Sequence, residues 1–179
     1  MKITSYFVWI KLNPSILVDL FVDIFSYLKE NSLENIIEFQ NPLSCHITLY
    51  YFSNKINENL LKDDIQSLFF DDEIKITWCK YFYREEKEFI CYLFPKENEN
   101  FYKLNKFFSD KFQEKKVFEN SLDFVPHITL FKIKDYWRFL EHKKNIESII
   151  NNKKLIFKDN EIKLYAVNSN FVPEIQVEL

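Results

Sequence analysis

Apolar positions along the chain follow two periods, and the switches between them mark out the elements. Lys2 to Leu12 is dense in β-branched and aromatic residues, the composition of a strand. Asn13-Pro14 interrupts it, and proline suits the first turn of a helix. Leu17, Leu20, Phe21, Ile24, Phe25 and Leu28 then recur at steps of three and four, predicting an amphipathic helix to about Lys29. Ile36–Phe39 predicts a short strand and Ser44–Phe52 a longer one, followed by a second helix on Leu60, Leu61, Ile65, Leu68 and Phe69. Glu73–Tyr83 and Glu88–Phe94 read as strands around a charged hairpin, Arg84-Glu85-Glu86-Lys87. Phe101, Leu104, Phe108 and Phe112 predict a third helix, Pro126–Ile133 a strand, and Tyr136, Phe139, Leu140, Ile146 and Ile150 a fourth helix. Leu155–Val167 and Phe171–Leu179 close the chain as strands.

This order contains an echo. Ser44-Cys45-His46-Ile47-Thr48-Leu49 is followed by an amphipathic helix and strands, and so is Val125-Pro126-His127-Ile128-Thr129-Leu130. With no linker or low-complexity stretch between the copies, residues 1–179 are expected to form a single domain of two pseudo-symmetric lobes. Strands mixed with four helices predict an α+β fold of mainly antiparallel sheets with helices outside.

Composition narrows the function. Hydrophobic residues make up 47 % of the 179 residues and charged residues 28 %, enough for a core and too polar for a membrane protein. No apolar run approaches the ~20 residues of a spanning helix, and no leader pattern opens the chain, so a cytoplasmic protein is expected. The net charge of −3 argues against tracking a long nucleic acid, whose affinity comes from neutralised phosphates. A small ligand or a strand end needs only a local basic pocket. Cys45, Cys79 and Cys91 are widely spaced and form no zinc pattern with the histidines, so neither metal nor other cofactor is expected. The chain has no glycine, which excludes glycine-rich phosphate loops. Left-handed turn positions should therefore fall to asparagine or aspartate, with Asn31, Asn54, Asn98, Asn120, Asn152 and Asn160 placed where turns are expected.

Two of the three histidines lie in identical His-Ile-Thr-Leu tetrapeptides. On a strand, His46 and Thr48 point to one face and Ile47 and Leu49 to the other, and His127, Thr129, Ile128 and Leu130 repeat the arrangement. Each copy thus pairs an apolar anchor with an imidazole and a hydroxyl. Two such strands meeting at one cleft would supply a neutral imidazole to remove a proton, a protonated one to donate to the leaving oxygen, and two hydroxyls for non-bridging phosphate oxygens. That set suffices for phosphodiester cleavage without a metal. A single His-x-Thr on a strand is ordinary; two identical copies among three histidines make chance the weaker explanation.

His46-Ile47-Thr48-Leu49 and Pro126-His127-Ile128-Thr129-Leu130 resemble the two signature motifs of the 2H phosphoesterase superfamily. Its members include the LigT-like 2′-5′ RNA ligase-type enzymes, 2′,3′-cyclic nucleotide phosphodiesterases, and viral enzymes that degrade 2′-5′ oligoadenylates or cyclic oligonucleotide signals. The resemblance extends to Tyr6-Phe7-Val8-Trp9-Ile10 before the first helix, to the Phe82-Tyr83 hairpin and to the final strand pair. It implies a duplicated, two-lobe fold around a central cleft, catalytic His46 and His127, and phosphate contacts from Thr48 and Thr129. LigT proteins often carry Arg where this chain has Lys132; simple alternation puts Lys132 on the face opposite His127, so it joins the site only if the strand bends there.

The implied activity is a metal-independent phosphodiesterase, monomeric, acting on a small nucleotide, a cyclic oligonucleotide or an RNA end with a 2′,3′-cyclic phosphate or 2′-5′ linkage. The alternatives are hydrolysis of cyclic oligonucleotide immune signals, of the phage anti-defence kind, and an inactive nucleotide-binding module. His142 is expected on a helix flank, outside the site. Trp78, Tyr81 and Tyr83 are either base-stacking residues or core.

Overall fold

The computed structural model describes residues 3–53, 57–68, 70, 72–96, 98–112, 123–168 and 173–177. Chain order is β1 (Ile3–Lys11), α1 (Ser15–Glu30), β2 (Ile37–Phe39), β3 (His46–Ser53), α2 (Glu58–Gln66), β4 (Ile74–Arg84), β5 (Lys87–Pro95), α3 (Glu99–Phe112), β6 (Ile128–Ile133), α4 (Tyr136–Asn151), β7 (Ile156–Phe157), β8 (Glu161–Asn168) and β9 (Pro173–Val177). One sheet has the order β3-β1-β8-β9 and the other β2-β6-β5-β4-β7. Every strand pairing among the described residues is antiparallel. The fold is α+β, as the element pattern predicts.

A contiguous apolar core joins both sheets to the helices. It takes Val8, Ile10, Ile47 and Leu49 from the first sheet, Cys91, Leu93, Ile128 and Phe131 from the second, and the stripes of α1, α3 and α4. β1 is flanked by strands on both edges and buried on both faces, which explains its unbroken apolar sequence. Its second face carries a small cluster, Phe7, Trp9 and Tyr165, with Tyr51 packed against it.

The two motif strands lie in different sheets, so they are not hydrogen-bonded neighbours. They do meet: β3 contacts β6, and Cys45 Sγ lies 3.9 Å from the Thr129 carbonyl oxygen. Each strand carries the same irregularity. In the pairing of β1 with β3, Val8 faces Tyr50 and Trp9 faces Thr48, leaving Leu49 as an extra residue. In the pairing of β5 with β6, Cys91 faces Phe131 and Tyr92 faces Thr129, leaving Leu130 extra. These are β-bulges, and each buries two successive side chains, Leu49 with Tyr50 and Leu130 with Phe131. The bulged carbonyls are satisfied from outside the ladder, Leu49 by Asn105 Nδ2 at 2.7 Å and Leu130 by the Gln40 amide at 2.8 Å.

Two expectations need correction. The strand expected over Leu155–Val167 is two strands in different sheets, because the chain bends at the polar segment Lys158-Asp159-Asn160, with Asp159 at φ 54° and Asn160 Nδ2 donating to the Asp72 carbonyl at 3.1 Å. Among the described residues no asparagine takes a left-handed position, and of the two expected residue types only an aspartate, Asp159, does. Positive φ occurs at Ser32, Glu85, Glu86 and Asp159, whereas Asn31 and Asn152 have φ of −104° and −78° and close helices with ordinary backbone. Asn54 and Asn120 lie outside the described residues.

The hairpin shows why. Arg84 pairs with Lys87, so the loop has two residues, and the type I′ turn that closes it has positive φ at both. Register puts Glu85 (φ 50°) and Glu86 (φ 63°) there whatever their preference. Each Cβ then crowds the following carbonyl at a cost of roughly 1–2 kcal/mol. Replacing the pair by Glu85→Asn with Glu86→Gly should raise the unfolding free energy by about 1–2 kcal/mol, seen as a higher urea midpoint at unchanged slope. An unchanged or lower midpoint would show that the glutamates fit this turn without strain.

Candidate active site

His46 opens β3, and His127 sits immediately before β6. Both imidazoles are held in the same way. His46 Nδ1 lies 2.6 Å from the Ser44 carbonyl oxygen, and His127 Nδ1 lies 2.7 Å from that of Val125. A carbonyl can only accept, so Nδ1 carries the proton in both rings and Nε2 is the lone-pair nitrogen of the neutral form. The backbone two residues upstream therefore fixes tautomer and orientation together.

At His46 the Thr48 hydroxyl lies 3.1 Å from Nε2 and must donate to it. Among the described residues no hydrogen bond reaches Nε2 of His127. Burial pushes His46 down to about 4; its bond to Ser44 opposes the shift and His127 adds to it. His127 is also lowered by burial, against its bond to Val125. Both rings are thus neutral near pH 7, and they are close enough for one to feel the charge of the other.

Aromatic rings back each imidazole. Trp9 and Phe7 of β1 lie 4.2 Å and 5.5 Å from His46 between ring centroids, and Phe82 of β4 and Tyr92 of β5 lie 4.9 Å and 5.4 Å from His127. Register sets this match: Trp9 is the cross-strand partner of Thr48 and Tyr92 that of Thr129. Sequence reasoning missed Trp9 and Tyr92 because the signal lies in strand pairing and not in the motif.

The bulges decide which other residues share this face. Phe7 pairs with Tyr51 two positions from Trp9, so Tyr51 faces the same way as Thr48. Ile90 pairs with Lys132 two positions from Tyr92, so Lys132 faces the same way as Thr129. The bend that Lys132 required is the bulge at Leu130. Lys132 is exposed there, opposite Glu38 of β2.

A cavity of about 550 Å³ opens beside the pair. Thr48, Tyr51, Phe82, Phe124 and His127 contribute to its wall, with Asn105 and Ser109 of α3 and the exposed Asp123 as its polar groups. Among the described residues no lysine or arginine lines it. Of the motif residues Thr48 and His127 line it, and His46, Thr129 and Lys132 do not. Cys45 belongs to the scaffold: burial pushes its thiol up to about 12, keeping it a protonated donor between the Asn41 and Thr129 carbonyls. His142 lies elsewhere, its Nδ1 2.7 Å from Tyr27 Oη between α4 and α1. Tyr81 also turns away from the cleft, packing edge-on against Phe139 of α4. Among the described residues no cluster of His, Cys, Asp or Glu could hold a metal ion, and no helix is long and apolar enough to cross a membrane.

No protein-family model matches the sequence, and no curated protein matches it. Solved structures do resemble it. TT0787 of Thermus thermophilus superposes with a TM-score of 0.59 at 14 % identity, covering 97 % of this chain and 95 % of that one. Escherichia coli LigT complexed with 3′-AMP gives 0.54 at 13 % identity, covering 98 % and 93 %. LigT complexed with phosphate gives 0.52 at 12 % identity, covering 99 % and 96 %. Likeness of this extent at such low identity is a likeness of architecture, and the chain has the LigT fold.

Proposed function

We propose that the protein is a metal-independent phosphodiesterase of the 2H type, a monomer in which both sheets act as one catalytic unit on a 2′,3′-cyclic phosphate or a 2′-5′ linkage. The observation that carries this reading is the matched anchoring of the two imidazoles, each with Nδ1–H on a backbone carbonyl and Nε2 left for chemistry. LigT, whose fold this chain shares, is known in complex with 3′-AMP and with phosphate, ligands of the class such a site would take.

The two rings differ in a way that assigns roles. Burial and the neighbouring His127 both hold His46 neutral, which suits a general base. His127 is lowered by burial, and the anionic phosphate would raise it towards the imidazolium, which suits a general acid. On a cyclic phosphate, His46 Nε2 takes a proton from water and the water oxygen bonds to phosphorus. The bond from phosphorus to one ribose oxygen breaks, and His127 Nε2–H protonates that oxygen. One water is consumed and both rings exchange protonation state, to be reset through solvent. Thr48 and Thr129 donate to the non-bridging oxygens, where charge accumulates. Lys132 draws the phosphate in from the exposed side of the same face.

Purified protein should open 2′,3′-cyclic phosphates or cut 2′-5′ linkages in the presence of EDTA. Loss of turnover on chelation, restored by a divalent cation, would reject the mechanism, and turnover of cyclic oligonucleotides alone would move the substrate to the signal-degrading class. His46→Ala and His127→Ala should each lower kcat by ~10²–10⁴-fold, and the double variant should fall far short of the product of the two. Thr48→Val and Thr129→Val should cost less. His142→Ala should remain active; its inactivation alongside active His46→Ala or His127→Ala would sink the assignment.

Stability should carry the mark of the buried ring. With His46 near 4 when folded and near 6.5 when unfolded, the unfolded chain binds a proton in that window that the folded chain refuses. Stability therefore falls as pH drops from about 6.5 towards 4, and this contribution is flat above 6.5. Urea titrations at pH 7 and pH 5 should show a smaller loss for His46→Asn than for wild type. Equal losses would mean that the imidazole is not held neutral.

A further inference from the structure

The cleft-facing side of β4 carries a pattern that the catalytic reading leaves unused. Phe82 stacks on Tyr92 at 4.3 Å and meets His127 edge-on, which fixes that face of the strand towards the site. Side chains alternate along a strand, so Trp78, Lys80 and Arg84 lie on the same face as Phe82. The column reads aromatic, cation, aromatic, cation.

The partners of these residues are as informative as their order. Trp78 is 51 % exposed. Lys80 Nζ lies 3.5 Å from the Phe94 ring centroid and 5.8 Å from that of Trp78. Among the described residues neither Lys80 nor Arg84 has a carboxylate partner. The first sheet provides the contrast. Lys163 of β8 stands beside Trp9 as Lys80 stands beside Tyr92, but Glu161 neutralises it at 3.2 Å and its side chain is only 17 % exposed. Of two corresponding lysines, one is compensated and the other is left over aromatic rings.

We infer that this column is a track for a short single strand of RNA, so that the substrate of the proposed site is the end of an oligonucleotide and not an isolated cyclic mononucleotide. Bases stack on Trp78 and Phe82, and backbone phosphates meet Lys80 and Arg84, the combination by which proteins hold single strands without reading sequence. The strand supplies the spacing. Residues on one face repeat every ~7 Å, so Trp78 and Phe82 stand ~14 Å apart with Lys80 midway, room for about two nucleotide steps of an extended strand. Among the described residues the lining of the cavity beside His127 is aromatic and carries no cationic side chain, so it suits the uncharged base of the terminal nucleotide and leaves the phosphates to β4. The inference rests on the catalytic reading for the position of the reacting phosphate, but the track is testable by binding alone.

The experiment compares a six-nucleotide RNA ending in a 3′-phosphate with a nucleoside 3′-monophosphate, by fluorescence anisotropy and competition. Wild type should bind the hexamer at least tenfold more tightly. Trp78→Ala and Lys80→Ala should each remove roughly tenfold of hexamer affinity and leave the monophosphate unchanged. Lys80→Ala should also flatten the dependence of log K on log salt by about 0.7, whereas Lys80→Arg should retain both affinity and slope. Equal wild-type affinity for the two ligands, or equal weakening of both by the variants, would overturn the track. Turnover of the cyclic-phosphate forms of both ligands separates the two claims. Selective hexamer binding without turnover of either form would keep the track and remove the phosphodiesterase. Turnover of both with equal efficiency, alongside equal binding, would do the reverse.

Discussion

The cleft depends on where the registers of β3 and β6 slip. In strict alternation, a residue five positions after each motif histidine would point into the core, placing Tyr51 and Lys132 among apolar side chains. A lysine there would be an unpaired buried charge, which costs several kcal/mol. One extra residue at Leu49 and at Leu130 reverses the phase, buries two apolar side chains in succession and returns Tyr51 and Lys132 to the face of the imidazoles. The bulges are stable because neither exposed carbonyl is orphaned: Asn105 of α3 caps one and the Gln40 amide the other. An apolar leucine at the bulge keeps the core closed while the strand bends, so the fourth residue of His-Ile-Thr-Leu serves the geometry as much as the first.

That geometry sets the electrostatics. Each imidazole is packed against rings on one side and tied through Nδ1 to its own backbone, so it loses solvation without gaining a carboxylate. Burial of this kind favours the neutral form. On the proposed mechanism the missing positive charge arrives only with the anion: a bound phosphate raises the ring nearest it, and acid and base become distinct when there is something to cleave. On the same mechanism the Thr48 hydroxyl, which donates to Nε2 of His46, can turn to the phosphate once the attacking water takes its place on that nitrogen.

Much of this was legible in the sequence, and what was not has a common cause. The two His-x-Thr pairs, the strands that carry them and the four helices follow from periods of two and 3.6 residues, which are properties of single elements. The aromatic backing of Trp9 and Tyr92 was hidden because it depends on which residue lies across the ladder. Lys132 could be placed only conditionally because a bulge is a mismatch between two strands, and neither strand announces it. The left-handed turns escape a sequence reading for the same reason. In the β4–β5 hairpin the register of the flanking strands overrides the preference of the residues, and Glu85 and Glu86 take a conformation that local chemistry would reserve for asparagine.

Charge distribution within the cleft extends the same logic to the substrate. A protein of net charge −3 gains nothing from a general attraction to nucleic acid, so whatever holds a phosphorylated ligand must be local. The cations are accordingly divided. Lys163 is cancelled by Glu161, and Lys132 faces Glu38, while Lys80 and Arg84 lie in line on β4 without acidic partners among the described residues. Among the described residues the polar and aromatic lining of the cavity is neutral polar groups, aromatic rings and the carboxylate of Asp123. A phosphate placed there would face the Asp123 carboxylate; a base would find hydrogen-bonding edges and flat walls. On the proposed reading this division gives the ligand a direction, base inward past His127 and backbone outward along β4, with the reacting phosphate between them beside the two imidazoles.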